Sequence, residues 1–246
     1  MKYLISLALF LLSVAVSLSG QTARKPEANN GAVINKDGVG FQMVVVHGNG
    51  PQFPRLTSYQ DANVMKEVNR QIDEITGEFG CRELNEGKKG GFAVKSQVEY
   101  TAKQIFSIYA SEAFYCGGAY PTNDYNISLT FDLKTGKLVG FEELFRSYET
   151  DKTEILKAIF AKQIERSEKL VSSGKIKENT CDGDPDLWSL ENLESSTFAF
   201  NFASQGLRVQ PVWSHALEAC AERVTVPYAK LGKFAAPGGI LARVMQ

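Results

Sequence analysis

Residues 115–145 read YCGGAYPTNDYNISLTFDLKTGKLVGFEELF, and the middle of that stretch decides the fold. Tyr125, Ile127, Leu129, Phe131 and Leu133 alternate with Asn126, Ser128, Thr130 and Asp132. A period of two is what a strand with one buried face requires. Lys134-Thr135-Gly136-Lys137 reverses the strand, and Gly136 can take the positive φ such a turn needs. Upstream, Phe92, Val94, Val98, Tyr100 and Ala102 share one face and Lys95, Gln97, Glu99 and Lys103 the other. Residues 105–110 are apolar on both faces except at Ser107, which predicts a central strand. Between these strands, Tyr115-Cys116-Gly117-Gly118-Ala119-Tyr120-Pro121 reads as a loop.

Working outward, residues 41–46 form a candidate strand, and the glycines and prolines of residues 47–54 read as loop. Val64, Val68, Ile72 and Ile75 make one helical stripe, with Ser58 or Asp61 to cap its start and Gly77 or Gly80 its end. A second helix is predicted over residues 151–172. Asp151 and Glu154 stand at capping-box spacing, Leu156, Ile159, Phe160, Ile164 and Leu170 supply the stripe, and Gly174 ends it. Phe198, Phe200 and Phe202 alternate with polar or small residues, a turn follows at 204–206, and Leu207, Val209, Pro211 and Trp213 continue the pattern. Residues 224–228 read as a short strand, and Tyr228, Leu231 and Phe234 return to helical spacing. The mixture predicts an α+β fold: an antiparallel sheet with two main helices packed against it.

The chain opens with one lysine and then an apolar run of about 15 residues from Leu4 to Leu18, long enough for a signal-peptide core and short for a membrane span. Small residues at Ser17, Ser19 and Gly20 place cleavage after Ser19 or Gly20. No cysteine lies there to take a lipid, and no later apolar run approaches a membrane span. The mature chain is expected to be soluble and exported, periplasmic or secreted. The hydrophobic content of 43% supplies a core, and a net charge of −1 gives no footprint for nucleic acid. Residues 21–39 are polar and read as a flexible lead-in.

Cys81, Cys116, Cys181 and Cys220 are the four cysteines. In an exported chain an even number predicts two disulfides, with three pairings allowed. Cys81–Cys116 with Cys181–Cys220 closes a local loop in each half and is favoured over the other two. The spacing lacks the short C-x₂₋₄-C pairs of a zinc site.

The residues that carry chemistry elsewhere do not assemble into a motif. His47 and His215 are the two histidines, and no G-x-S-x-G elbow accompanies them. A Cys116–His215 or serine–histidine pair has no spacing to support it, and a bridged Cys116 is no nucleophile. Glu142-Glu143 is adjacent rather than spaced across a cleft, and reads as a polar helix start. Asp182, Asp184 and Asp186 have D-x-D-x-D spacing, but Leu187 and Leu193 occupy the positions where a calcium loop needs glycine and glutamate. The preferred reading there is a solvated turn beside a disulfide, so no metal and no cofactor is assigned. Trp188 and Trp213 read as core residues. Asn126-Ile127-Ser128 matches a glycosylation sequon inside a predicted strand.

Several spaced motifs occur in order: Tyr115-Cys116-Gly117-Gly118-Ala119-Tyr120-Pro121, Phe131-Asp132, Thr135-Gly136-Lys137 and Glu143-Leu144-Phe145. They continue with Phe198, Phe200 and Phe202, Gly206-Leu207, Cys220-Ala221, Val226-Pro227-Tyr228 and Leu231. This set resembles the extracytoplasmic domain family shared by the lysozyme-sensing anti-sigma factor RsiV and the peptidoglycan deacetylase PdaC. Phe53-Pro54 ahead of Val68-Asn69 and Ile72 is similar to the module that precedes that domain. The resemblance covers roughly residues 40–234. It implies a PdaC-like N-terminal module over 40–140 and an RsiV-like C-terminal module over 141–234, which follow the signal peptide over 1–20 and the lead-in over 21–39 read above and leave a tail over 235–246. The family loop commonly reads Gly-Gly-Ala-His-Pro, and Tyr120 stands where the histidine would be, so a role that needs an imidazole does not carry over.

The resemblance implies an exported, non-catalytic binding module of the cell envelope. Its partner would be a lysozyme-like protein or a cell-wall glycan such as peptidoglycan, met by Tyr115, Gly117, Gly118, Tyr120 and Pro121. No segment corresponds to the sigma-binding part of the one protein or the catalytic domain of the other, so neither activity is expected. Two other readings stand beside it: a cell-wall hydrolase or deacetylase with unrecognised catalytic residues, and a scaffold partner of another envelope protein.

Overall fold

The structure is a computed structural model that describes residues 32–45, 52–77, 91–115, 123–176, 180–181 and 183–246. Strands β1 (Ile34–Lys36), β2 (Val39–Val45) and β3 (Gln52–Ser58) form a first antiparallel sheet in that order. Helix α1 (Ala62–Thr76) follows. Strands β4 (Gly91–Tyr100), β5 (Ile105–Tyr115), β6 (Asn123–Asp132) and β7 (Lys137–Leu138) form a central sheet in chain order. After a 3₁₀ turn at Glu142–Leu144 come α2 (Tyr148–Ser173), α3 (Leu190–Ser195), β8 (Thr197–Ala203), β9 (Gly206–Val212), α4 (His215–Glu218) and β10 (Val224–Val226). The order of the third sheet is β10-β9-β8. The described chain ends with α5 (Tyr228–Leu231), a 3₁₀ turn at Gly232–Phe234 and α6 (Ile240–Val244). The α+β class holds, but the expected single sheet with two helices is three antiparallel sheets with several helices.

Local chemistry explains most boundaries. The carboxylate of Asp61 accepts from the Asn63 and Val64 N–H groups at 2.9 and 3.2 Å, so it is the α1 cap, while Ser58 ends β3. Val64, Val68 and Ile72 bury the predicted stripe. Helix α2 starts at Tyr148, a turn before the expected Asp151, and Asp151 donates its N–H to the Ser147 carbonyl as an ordinary helical residue. Tyr148 is buried and stacks on Phe145, so tertiary packing extends the helix beyond its local signal. Gly174 ends it at φ +62° as expected.

Three stretches depart from the sequence reading more sharply. Residues 52–54, read as loop, belong to β3, with Pro54 opposite Met43. This strand lies at the edge of its sheet, where a missing N–H is tolerated. Residues 34–36, placed in the lead-in, form β1, and the supposed tail carries α6, whose Ile240 and Leu241 are 4% and 0% exposed. Arg243 of α6 grips Asp132 with two hydrogen bonds of 3.2 and 2.6 Å, fixing the chain end to the central sheet.

The central sheet separates two hydrophobic cores. One face sends Val94, Val98, Phe106, Ile108, Ala110, Leu129, Phe131 and Leu133 into a core completed by Val39, Phe41, Phe53, Leu56 and the α1 stripe. The second core gathers Phe141, Leu144, Ile155, Leu156, Phe160, Trp188, Phe200, Phe202, Leu207, Val209, Leu231 and Leu241, and Ile105 joins it from β5. Trp188 and Trp213 meet edge to face at 4.9 Å, in keeping with a packing role. Strand β5 is central, and Ile105, Phe106, Ser107, Ile108 and Ala110 are all fully buried. The register of β4 shifts between Val98 and Tyr100. This bulge breaks the expected alternation: Val98 stays with the first core, while Tyr100 turns to the second and meets Phe202 at 6.1 Å.

Candidate functional site

Away from the first core, the central sheet is polar: Gln97 and Glu99 on β4, Ser107 and Tyr109 on β5, and Asn126, Ser128 and Thr130 on β6. Strand β8 lies across this face, and the β9–β10 connection runs beside it. Asn201 of β8, Arg208 of β9, and Glu218 and Arg223 of the connection complete a hydrogen-bonded seam.

Glu99 is its charged centre, with a side chain only 2% exposed. Arg208 Nη1 donates to Oε1 at 2.7 Å, and Arg223 donates to Oε1 at 3.0 Å and to Oε2 at 2.8 Å. Gln97 adds a donor at 2.9 Å. Burial by itself would raise the Glu99 carboxyl. The Arg223 hydrogen bonds and charge, with help from Gln97 and Arg208, outweigh it and hold the group below the ordinary carboxylate range. Glu99 is therefore an ionised anchor at neutral pH, with no proton to give as a general acid. The Arg223 guanidinium also lies 3.7 Å from the Tyr109 ring centroid, a cation–π contact.

Asn201 carries the network inward. Its Oδ1 accepts from Arg223 at 2.7 Å and from Ser128 at 2.8 Å. Its Nδ2 donates to the Ile108 carbonyl at 2.7 Å and to Ser107 Oγ at 3.2 Å. Ser107 Oγ also accepts the Phe202 N–H at 3.1 Å and sits 2.8 Å from Thr130 Oγ1. With both Ser107 lone pairs taken, its proton points at Thr130, which in turn reaches the Phe200 carbonyl at 3.4 Å. On the outer side, Tyr109 donates to Asn126 Oδ1 at 2.5 Å, and Asn126 Nδ2 donates to Glu218 at 3.0 Å. The seam is saturated, as buried polar groups must be, and its chemistry is that of fixed recognition between sheets rather than of proton transfer.

The sequence-predicted candidates fall elsewhere. Tyr115 is the last residue of β5 and pairs with Gly91. Gly117, Gly118, Tyr120 and Pro121 lie outside the described residues, as do Cys81 and Cys116 and hence their expected bridge. Cys181 and Cys220 are joined as expected. His47 also lies outside, and His215 opens α4. Glu142 and Glu143 begin the 3₁₀ turn, where Glu143 accepts the Gly140 N–H at 2.8 Å. Asp182 lies outside the described residues. Asp184 and Asp186 occupy a turn in which Asp184 Oδ1 accepts the Asp186 N–H at 3.0 Å, beside an open cleft of about 540 Å³ also lined by Ser189, Glu191, Asn192 and Ser195. Among the described residues, no three His, Cys, Asp or Glu side chains are placed to hold a metal ion, and no helix is long and apolar enough to cross a membrane.

Sequence reasoning missed Glu99, Arg208, Arg223 and Asn201, because an alternating polar face reads as a solvated one. One signal was available. Asn126, Ser128 and Thr130 of β6, with Ser107 and Asn201, are small hydroxyl and amide groups rather than the lysines and glutamates that usually face water, and such groups can be buried when paired.

No family model matches this chain, and no curated protein is a significant match. Among solved structures it is similar to a DUF3298 family protein from Pseudomonas aeruginosa, at 15% identity and a TM-score of 0.44, over 76% of this chain and 84% of that one. It is also similar to a DUF3298 family member from Bacteroides fragilis, at 12% identity and a TM-score of 0.51, over 88% of this chain and 98% of that one. At such identity the likeness is one of architecture, and the Bacteroides fragilis structure gives the chain a DUF3298-like fold.

Proposed function

We propose that this chain is an exported, non-catalytic binding module of the cell envelope. Its recognition stretch is Tyr115, Gly117, Gly118, Tyr120 and Pro121, and its ligand is a lysozyme-like protein or a cell-wall glycan. The observation that carries the reading is the β5–β6 ladder, paired without interruption from Ile105↔Asp132 to Phe114↔Asn123. One end of this hairpin is buried between two cores, and the other leads directly into the Gly-Gly stretch. Recognition loops are commonly carried by a rigid scaffold of this kind. Two tyrosines beside two glycines offer flat rings together with close backbone approach.

The full mature chain, retained on immobilised lysozyme or on purified peptidoglycan, provides the test. Retention on one of them, lost in Tyr120→Ala, is the expected result, and no retention on either would sink both ligands. Mass analysis of peptidoglycan after incubation separates this reading from a hydrolase or deacetylase, because a binding module leaves the muropeptides unchanged.

A further inference from the structure

Strands β9 and β10 pair directly, yet residues 213–223 intervene between them, more chain than a hairpin needs. This connection behaves as a strap. Glu218 accepts from Asn126 of the central sheet, Glu222 accepts from Gln163 at 2.8 Å and from Arg166 of α2, and Arg223 reaches Glu99 and Asn201. Trp213 Nε1 donates to Ser196 Oγ at 3.2 Å. One segment thus supplies partners to the central sheet, to α2, to β8 and to the end of α3. Between Glu218 and Glu222 sits Cys220, bonded to Cys181 in the α2–α3 connection. The Cys220 N–H donates to the Leu217 carbonyl at 2.8 Å and the Ala221 N–H to the Glu218 carbonyl at 3.0 Å, so the bridge and the ionic anchors share one hydrogen-bonded turn. Cys181 is exposed and Cys220 half-buried, which leaves the bond open to a thiol.

We propose that the strap is a redox-controlled latch on the seam. Oxidised, the Cys181–Cys220 bond holds Glu218, Glu222 and Arg223 at high effective concentration against their partners. A dithiol reductant opens it. One reductant thiolate attacks the sulfur of Cys181, the more exposed of the two residues, and forms a mixed disulfide, and Cys220 leaves as a thiolate that takes up a proton. The second reductant thiol then displaces Cys181, which also leaves as a thiolate and is protonated. Two electrons pass to the chain, two cysteine thiols result, and the reductant becomes a disulfide. With the tether gone, the strap opens without unfolding the first core. The latch does not depend on which ligand the module binds.

Linkage makes the idea testable in both directions, because a bond that favours docking must itself be favoured by docking to the same degree. The full mature chain is equilibrated in dithiothreitol buffers, and the Cys181–Cys220 bond is read by alkylation and peptide mass mapping. Glu222→Ala should lower the equilibrium constant for this bond by about fivefold or more, while Lys169→Ala, on α2 but outside the strap, leaves it unchanged. Equal constants in Glu222→Ala and the unaltered chain overturn the latch. In parallel, hydrogen exchange of the unaltered chain should show residues 213–223 exchanging about fivefold or more faster after reduction, with α1 unaffected. Unchanged exchange in the strap overturns the proposal, and so does an equal loss of protection in α1, which would make the bond a staple of the whole fold.

Discussion

The two faces of the central sheet are built from the same strands and solve burial in opposite ways. Toward α1, Phe106, Ile108, Leu129 and Phe131 fill space with apolar volume. Toward β8, Glu99, Ser107, Asn126, Ser128 and Thr130 are buried or half-buried with a named partner for each. An apolar face is non-directional and accepts any residues of suitable volume. A polar seam is satisfied in one register only, because each shift leaves groups unpaired in a medium where that is costly. The first face supplies cohesion, and the second specifies how the third sheet lies against the central one.

The largest effect should come from the apolar side. Phe106 is fully buried and its ring lies 5.9 Å from that of Phe41. Phe106→Ala should cost about 3–5 kcal/mol, from lost transfer energy plus the cavity left behind. Urea denaturation would show this as a lower midpoint, and a cost below that of Glu99→Leu would reverse the ranking of the two faces. Glu99→Leu should cost about 2–3 kcal/mol. It leaves two guanidinium groups without their carboxylate, and the full penalty of a broken buried pair is reduced because Arg208 and Arg223 are 35% and 20% exposed.

The same pair predicts an acid response. The folded-state pKa values of Glu99 and Glu222 lie below the ordinary carboxylate value. For Glu222 burial again pushes upward, and the bonds from Gln163 and Arg166 prevail. A depressed folded pKa means that the unfolded chain binds the proton first. The stabilisation is complete above the unfolded carboxylate pKa and is lost as pH falls through the folded one. Stability should therefore decline on acidification below about pH 5, and Glu99→Gln should flatten that decline. Parallel curves for the two proteins would show that the Glu99 carboxylate is not coupled to folding.

How far the sequence made this legible follows from the same contrast. Helix α1 could be read because its apolar stripe and the Asp61 cap are local signals that tertiary structure did not override. Residues 105–110 announced a central strand through a run that is apolar on both faces except at Ser107. Strand β3 could not be read, since Pro54 argues against a strand unless its place at an edge is known. Helix α6 is short and follows Pro237-Gly238-Gly239, so nothing local marks it, and its place comes from the burial of Ile240 and Leu241. The seam was hidden by the Glu99 bulge and by the ambiguity of alternation, which shows that two faces differ but not that the polar one meets water. In the sequence the recognition stretch was legible only as motif spacing, and its test lies in binding.

The smallest effects bear on the inner end of the seam, where the direction of one proton can be checked. Ser107 Oγ accepts the Phe202 N–H and an Asn201 N–H, so its own proton is directed to Thr130. Ser107→Ala strands a buried backbone donor and should cost about 2 kcal/mol. Thr130→Val keeps the shape and removes the acceptor of one hydroxyl proton together with a long 3.4 Å donation to the Phe200 carbonyl, so it should cost about 1 kcal/mol. Both follow from denaturation midpoints, and their order matters more than their size. If Thr130→Val proved the costlier, Thr130 would be the donor and Ser107 would lack a lone pair for the Phe202 N–H. The seam would then be loosest at the point where β8 meets the fully buried centre of β5, and the cohesion there would have to come from the apolar contacts on either side.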